Sequence, residues 1–308
     1  MKVKTIIIFP YGGFEQKNDI EQMFWKIINT CEEISEKPLV VINRDTERRG
    51  LVPDFRNHKT LELIHVWSVD TCQMWLGGWG HLIDQYKPEE LETSDDRVVL
   101  IPGDLAQMKD VDNFIRKIES FINSSYKDIF IGEYQTGEKY SAKELIDVYG
   151  TYQLLANWFP EISRAIKSLP LSKPRSEFLN IRASILNELL YKRKFAYEQT
   201  LNILITSWNF TKKAFDYNII GFELGTLSDD PQFRQYRGCL DQIERSERLI
   251  KLLWREINEP KPEIGENIMS DSYIERYTRF CNDYDTLHRI STDILAATRI
   301  TIRALLGT

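Results

Sequence analysis

Short apolar runs, many of them β-branched, alternate with helical patterns in the first part of the chain. The runs that have the length of buried strands span residues 3–9, 38–43, 61–67, 97–101 and 128–131. Between them, apolar residues recur at helical spacing over 20–34 and 111–122, and a further helix is expected over 77–86. Strands separated by helices predict a mostly parallel sheet with right-handed crossovers, that is, a Rossmann-like α/β fold.

The rest of the chain has a helical pattern from residue 142 onward, with long helices expected over 179–208, 239–257 and 270–306. Along the last of these, aromatic and aliphatic residues recur at steps of three and four. This stripe predicts packing within the chain, and a homodimer contact through the C-terminal helices is the alternative that the pattern leaves open. We therefore expect an α/β domain over 1–210 and a helical C-terminal region over 211–308.

Composition and charge narrow the class of protein. The 308 residues are 42% hydrophobic and 28% charged, as in ordinary globular proteins. The formal net charge of -6 disfavours nucleic acid as a partner, because phosphate binding needs a basic face. No apolar run approaches the ~20 residues of a transmembrane helix, and the first one stops at Pro10, too early for a signal peptide. The four cysteines form no CxxC pair, which predicts free thiols in the cytoplasm.

Several motifs with known chemistry are absent from the sequence. It contains no GxxxxGK[ST] phosphate loop, no GxGxxG, no HExxH and no GxSxG, and its four histidines show no metal-ligand spacing. The sequence therefore favours neither a P-loop ATPase nor a zinc hydrolase.

Glycine-containing and polar segments follow the predicted strands. Ligands of parallel sheets bind beyond the carboxyl ends of the strands, so these segments are the candidates for a binding site. They are Pro10-Tyr11-Gly12, Asn43-Arg44-Asp45, residues 67–80 and Pro102-Gly103-Asp104.

The most unusual of these segments by composition is residues 70–80, DTCQMWLGGWG. Gly77 and Gly78 lie between Trp75 and Trp79, which predicts a loop where the backbone approaches a ligand and a ring stacks on it. The alternative to a binding loop is that Trp75 and Trp79 are both part of the hydrophobic core.

The order of these segments resembles that of the GT-A glycosyltransferases, the nucleotide-diphospho-sugar transferase superfamily, over residues 3–210. Phe9-Pro10-Tyr11 is similar to the turn that lies against the nucleoside in that family. VVINRD, ending at Asp45, is similar to the second strand with its base-facing carboxylate. Gly77-Gly78-Trp79-Gly80 takes the place of the family's glycine-containing loop and helix, and VVLIPGDL, ending at Leu105, is similar to the strand with the metal-binding DxD motif.

The resemblance implies a GT-A fold, a nucleoside-diphosphate sugar as donor and a divalent metal. The residues expected to bind the donor are Pro10, Tyr11, Gly12, Asn43, Asp45, Gly77 and Gly78. A diphosphate also needs a cation, which Arg175 or the pair Arg193-Lys194 could supply, and a solvated charged loop is the alternative.

The metal site departs from the family pattern, because Pro102 stands where the first Asp of DxD would fall. Asp104 alone remains as the predicted ligand of Mg²⁺ or Mn²⁺, with phosphate oxygens and waters completing the octahedron. The alternative role for Asp104 is the cap of a helix that begins at Leu105.

An inverting transferase needs a carboxylate that deprotonates the acceptor hydroxyl. Glu198, within FAYEQ, is similar in position to the family's acidic residue beside the acceptor, and Glu133 at the end of the fifth strand is the second candidate. A solvent-facing helix carboxylate is the alternative role for Glu198.

The sequence thus predicts a metal-assisted glycosyltransferase that moves a sugar from a nucleoside-diphosphate sugar to an acceptor hydroxyl. A nucleotidyltransferase of related fold is one alternative, although the loop after the first strand contains only one cation, Lys17. A non-catalytic nucleotide-sugar-binding or scaffold protein is the other, and Pro102 is the residue that favours it.

Overall fold

The computed structural model describes residues 1–14, 18–58, 60–67, 71–105, 108–135, 160–171, 176–187 and 217–226. The strands in these ranges are β1 (Val3–Ile8), β2 (Glu36–Asn43), β3 (Glu62–Val66), β4 (Arg97–Pro102), β5 (Ile129–Gln135), β6 (Phe178–Arg182) and β7 (Ile219–Thr226). The helices are α1 (Asn18–Ile34), α2 (Arg44–Arg48), α3 (Thr71–Ile83), α4 (Pro88–Glu92), α5 (Val111–Asn123), α6 (Pro160–Ser168) and α7 (Ala183–Leu186).

The seven strands form one sheet in the order β3-β2-β1-β4-β6-β5-β7. Neighbouring strands run parallel except at β6, which is antiparallel to both β4 and β5. The mostly parallel sheet expected from the sequence is therefore confirmed.

Strands β1, β2 and β4 are apolar on both sides because helices cover both faces of the sheet. In β1, Ile6 and Ile8 belong to one core cluster, while Ile7 belongs to the other. Helix α3 packs on β1, β2 and β3, and helices α1 and α5 pack against each other and on β1. This double burial explains why the strands read as near-continuous apolar runs rather than as alternating ones.

Helix α5 shows how local sequence determines an element. Its N-cap is Asp110, whose side chain accepts a hydrogen bond from the backbone N–H of Asn113 at 2.9 Å. Its apolar positions recur at helical spacing and are buried against the sheet, at Phe114, Ile118, Phe121 and Ile122. The predicted helix over 111–122 is confirmed to within one residue.

Three elements of the sheet layer were not predicted. The segment 179–182 was expected to begin a long helix, but it lies in β6, where it pairs with β4 and with β5. The helix prediction is wrong there. A segment of only five residues has a weak helical signal of its own, and hydrogen bonds to β4 and β5 on its two sides hold it in an extended conformation. Strand β7 lies beyond residue 210, so residues past the predicted domain boundary take part in the sheet. Helix α2 follows β2 directly.

The expected helices over 239–257 and 270–306, and with them the homodimer contact, lie outside the described residues and stay predictions. Within the ranges that the structure describes, no helix combines the length and the hydropathy that a membrane span requires. The described cysteine Cys31 is a free, buried thiol, and burial raises its pKa to about 12.

Candidate functional site

One edge of the sheet gathers most of the predicted site residues. Strands β1 to β4 are parallel, so their carboxyl ends lie at the same edge. Strands β5 and β7 end there too, because β4 and β5 are both antiparallel to β6. This edge is the site at which ligands of open α/β sheets bind.

The order of the strands locates a crevice within that edge. From β1 the chain passes to β2 on one side, whereas from β4 it passes to β5 on the other. Adjacent strands whose connections leave in opposite directions form a topological switch point, and loops diverge there to leave a crevice. The segments that follow β1 and β4 are Pro10 to Gly13 and Gly103 to Leu105.

The segment after β1 is a tight turn held from two sides. The N–H of Gly13 donates to the carbonyl of Pro10 at 3.0 Å. Gly13 has φ of +60°, and a Cβ there would lie 2.6 Å from the carbonyl oxygen of Leu51, so the position requires glycine. Pro10 is buried, while Tyr11 and Gly12 are half-buried at the edge. The turn therefore lies at the crevice, with Tyr11 packed partly against the core.

Helix α2 fixes this turn from the end of β2. The carbonyl of Tyr11 accepts hydrogen bonds from the Thr46 hydroxyl and from Nη2 of Arg49, each at 2.9 Å. The predicted residue Asn43 is buried and accepts a hydrogen bond from the N–H of Asp45 at 2.9 Å, which makes it the N-cap of α2. The side chain of Asp45 is 62% exposed, and Arg49 lies 3.3 Å from it.

Thr46 and Arg49 contact the candidate site, and the sequence analysis did not single them out. Helix α2 is too short for a periodic signal, and the contact of Arg49 with Tyr11 joins residues 38 positions apart. The only local signal is the placement of RDTERR directly after a predicted strand.

The segment after β4 places Asp104 at the crevice. The N–H of Gly103 donates to the carbonyl of Ile8 at 2.9 Å, so the two strand ends stay together. Asp104 follows and is exposed. The alternative role of Asp104 as a helix cap is wrong, because α5 begins at Val111 with Asp110 as its cap.

The same segment continues across the sheet to β7. The N–H of Lys109 donates to the carbonyl of Thr226 at 3.0 Å. Lys109 therefore lies beside the end of β7, which β6 and β5 separate from β4 in the sheet. This contact connects the crevice with the part of the edge that carries Glu133.

The prediction of a binding loop at residues 70–80 is wrong, because residues 71–83 form α3. A Cβ on Gly77 would lie 2.8 Å from Cγ1 of Val66, and one on Gly78 would lie 2.8 Å from Cγ2 of Ile6. Both glycines therefore permit close packing of the helix on the sheet. Trp75 and Trp79 are buried in the core, as in the alternative interpretation.

Glu133 lies near the carboxyl end of β5 and is half-buried. Its carboxylate lies over the backbone of Gly221 on β7, where a side chain would collide with it. Its register partner on β7 is Glu223, which is exposed. Glu133 is thus a carboxylate at the predicted edge, on the side of the sheet away from β1. The other catalytic candidate, Glu198, lies outside the described residues, as do Arg175, Arg193 and Lys194.

Cations are nevertheless present at this edge. Arg44 and Arg48 on α2 are both exposed. Nε of Arg44 donates to the carbonyl of His65 at 3.4 Å, and the guanidinium of Arg48 lies 5.7 Å from the centre of the exposed Trp67 ring. These contacts hold the two arginines near the ends of β2 and β3, so this part of the edge carries positive charge.

The described residues contain no group of three histidine, cysteine or acidic side chains that could hold a metal ion. Asp104 is a hard oxygen ligand at an exposed position, which fits Mg²⁺ or Mn²⁺ only when the ligand's own phosphate oxygens complete the coordination. The donor set therefore fits a metal that arrives with a diphosphate.

The sheet order with its single antiparallel strand, and the crevice between β1 and β4, define the fold of the nucleotide-diphospho-sugar transferases, the GT-A fold. The solved structures similar to this chain include glucosyl-3-phosphoglycerate synthase of M. tuberculosis, with a TM-score of 0.50, 15% identity, and coverage of 84% of this chain and 82% of that one. The fold expected from the sequence is confirmed.

Two further structures are similar at lower TM-scores. The same synthase from Mycobacterium tuberculosis in complex with Mn²⁺, UDP-glucose and phosphoglyceric acid has a TM-score of 0.49 and 14% identity, covering 88% of this chain and 85% of that one. Mannosyl-3-phosphoglycerate synthase from Rubrobacter xylanophilus has a TM-score of 0.49 and 11% identity, covering 87% and 79%. No protein-family model matches the sequence, and no curated protein matches it.

Proposed function

We propose that this protein is a glycosyltransferase that transfers a sugar from a nucleoside-diphosphate sugar to an acceptor hydroxyl. The observation that supports this most is the crevice between β1 and β4, where the turn at Tyr11 and Gly12 and the exposed carboxylate of Asp104 follow adjacent parallel strands. A nucleotide that lies along this crevice would contact the turn after β1, which hydrogen bonds from α2 hold in place, and the carboxylate of Asp104 after β4.

The proposal gives each described residue a separate task. Pro10, Tyr11 and Gly12 form the wall against the nucleoside, and Asp45 lies beside its base. Asn43 caps α2 and so holds Asp45 in position. We leave Gly77 and Gly78 out of the ligand site, because their contacts are with the sheet.

Asp104 would hold the divalent metal, Mg²⁺ or Mn²⁺. When bound, such an ion offsets the charge that develops on the departing nucleoside diphosphate. Glu133 is the candidate among the described residues to accept the proton of the acceptor hydroxyl, and Glu198 remains the other candidate. We propose the cytoplasm as the location, which the free thiol of Cys31 fits.

Asp104→Asn tests the proposal at the metal. We expect UDP, GDP, ADP or CDP to raise the melting temperature of the protein, because a ligand that binds only the folded state stabilises it. Mn²⁺ should increase that shift in the native sequence, and the increase should disappear in Asp104→Asn because the remaining amide is a poor ligand. The measurement is a thermal-shift series for each nucleotide with and without Mn²⁺.

Asp112→Asn is the matched control, since Asp112 is an exposed carboxylate on α5 that pairs with Lys26 at 3.4 Å. It should behave like the native protein. If no nucleoside diphosphate shifts the melting temperature at millimolar concentration, the proposed function is wrong. If the shift with Mn²⁺ survives Asp104→Asn, Asp104 does not bind the metal. Release of nucleoside diphosphate from the sugar conjugate then separates a transferase from a binding protein.

A further inference from the structure

A glycine, Gly221, stands within β7 and is half-buried. Its register partner on β5 is Ile131, two residues before Glu133. Because Ile131 and Ile219 belong to the same core cluster and side chains alternate along a strand, positions 133 and 221 lie on the same face of the sheet. A glycine weakens a strand, and in a strand it often marks a place where another group approaches the backbone closely.

The group that approaches Gly221 is the carboxylate of Glu133. A Cβ built on Gly221 would collide with Oε2 of Glu133 and would lie 2.9 Å from Cδ of the same side chain. It would also lie 3.1 Å from the carbonyl oxygen of Pro170, which accepts a hydrogen bond from the N–H of Gly221 at 3.0 Å. The carboxylate therefore occupies the space that a side chain at position 221 would need.

The surroundings of Gly221 differ from those of Gly132, a glycine on β5. A Cβ on Gly132 would lie 2.8 Å from Cδ1 of Leu224 and 3.2 Å from Cγ of Phe178, which are buried core residues. A methyl group at Gly221 would instead displace the end of a flexible side chain and require a shift of a few tenths of an ångström at Pro170. The φ of Gly221 is not in the left-handed region, so alanine fits the backbone there.

We propose that Gly221 is a positioning residue for Glu133. The space above its backbone keeps the carboxylate at the place from which it accepts the proton of the acceptor hydroxyl. This inference rests on the proposed function, in which Glu133 is the general base. A catalytic group that is displaced by about 1 Å loses up to ~10²-fold in rate, so one methyl group at this position should be costly for catalysis.

Gly221→Ala in the full-length protein tests the inference. The probes are UDP-glucose, GDP-mannose, ADP-glucose and CDP-glucose, each with Mn²⁺, and release of nucleoside diphosphate gives kcat and KM. We expect kcat to fall by about 10–100-fold. The dissociation constant of the nucleoside diphosphate, measured by calorimetry, should not change, because the residues proposed to bind it follow β1, β2 and β4.

Gly80→Ala is the matched control, because a Cβ on Gly80 has no atom within 4 Å. It should keep the native kcat. A loss of nucleotide affinity and a lower melting temperature in Gly221→Ala, in parallel with the loss of rate, would show a merely structural role and overturn the inference.

A double-mutant cycle shows whether Gly221 acts through Glu133. In the Glu133→Gln background, Gly221→Ala should lower kcat no further, because the group that it displaces is already lost. An equal loss of kcat in both backgrounds would mean that Gly221 acts independently of Glu133, and it would overturn the inference.

The outcomes distinguish the inference from the function beneath it. Native kcat in Gly221→Ala would overturn the positioning role and leave the transferase proposal standing. Native kcat in Glu133→Gln would also overturn it, since the general base would then be another group. If the native protein turns over none of the four donors, the inference and the transferase proposal both fail, and a shift of the melting temperature by a nucleoside diphosphate would then indicate a binding protein.

Discussion

Arg97 is a fully buried arginine at the start of β4, on the opposite edge of the sheet from the crevice. Nε and Nη2 donate to Oδ1 and the carbonyl of Asn180 at 2.7 and 3.0 Å, and Nη1 donates to the carbonyl of Lys127 at 3.0 Å. Burial lowers its pKa to about 10. Its charge is thus held in the core by neutral acceptors, and Asn180 is the residue on which this arrangement depends.

At the residue scale, we expect Asn180→Ala to destabilise the protein by about 3 kcal/mol. The substitution leaves Nε of Arg97 without its acceptor. It also removes the donor that Asn180 offers to the carbonyls of Phe121 and Ser124, at 2.6 and 3.0 Å. The measurement is the free energy of unfolding from a urea titration.

Asn123→Ala is the control for this measurement. Asn123 is exposed at the end of α5, so its removal should change the free energy of unfolding by less than ~0.5 kcal/mol. Equal, small effects of the two substitutions would show that Asn180 does not hold the buried arginine.

At the scale of the element, α3 is an apolar helix whose distance from the sheet depends on glycine. A Cβ on Gly78 would lie 2.8 Å from Cγ2 of Ile6 and 2.9 Å from Cγ2 of Val41, and both are branch methyls of buried strand residues. Gly80, two residues on, has no atom within 4 Å of its Cβ position. Two glycines of one helix therefore lie in opposite surroundings.

We expect Gly78→Ala to lower the free energy of unfolding by ~1–3 kcal/mol through overpacking. Gly80→Ala should raise it by up to ~1 kcal/mol, because alanine favours the helix and meets no steric conflict. Urea titration of both variants measures the two effects. If both variants are stabilised, α3 is able to move away from the sheet and the packing argument is wrong.

At the scale of the whole molecule, the edge with the candidate site has two halves. Strands β3, β2, β1 and β4 carry the residues proposed to bind the donor, and β6, β5 and β7 carry Glu133 and Glu223. The chain after Asp104 joins the halves through the contact of Lys109 with Thr226. The proposed division is donor binding in the first half and proton transfer in the second.

Glu133→Gln should therefore reduce the rate of turnover without weakening the binding of the donor nucleotide. Loss of a general base lowers kcat by ~10²–10⁴-fold, while the dissociation constant of the nucleotide should not change. Release of nucleoside diphosphate, with water as acceptor, gives the rate, and calorimetry gives the affinity. Glu223→Gln, the exposed register partner, is the control and should keep the native rate. If Glu133→Gln turns over at the native rate, Glu133 is not the general base, and Glu198 becomes the candidate for that role.

The sequence determined the parts of the fold whose signal is local. Apolar runs predicted β1, β2, β4 and β5, because strands buried on both faces are continuously apolar, and helical spacing predicted α1 and α5. The turn at Pro10 and the carboxylate of Asp104 could be placed at the binding edge, because parallel strands bring their carboxyl ends to one side.

The tertiary structure decided the features that depend on distant neighbours. Strand β6 is extended because it lies between β4 and β5, and Gly77 and Gly78 serve helix packing because Val66 and Ile6 lie opposite them. The contact of Arg49 with Tyr11 likewise joins two strand ends that are adjacent only in the folded chain. Such contacts have no period or motif along the chain, because their partners are set by the order of the strands in the sheet.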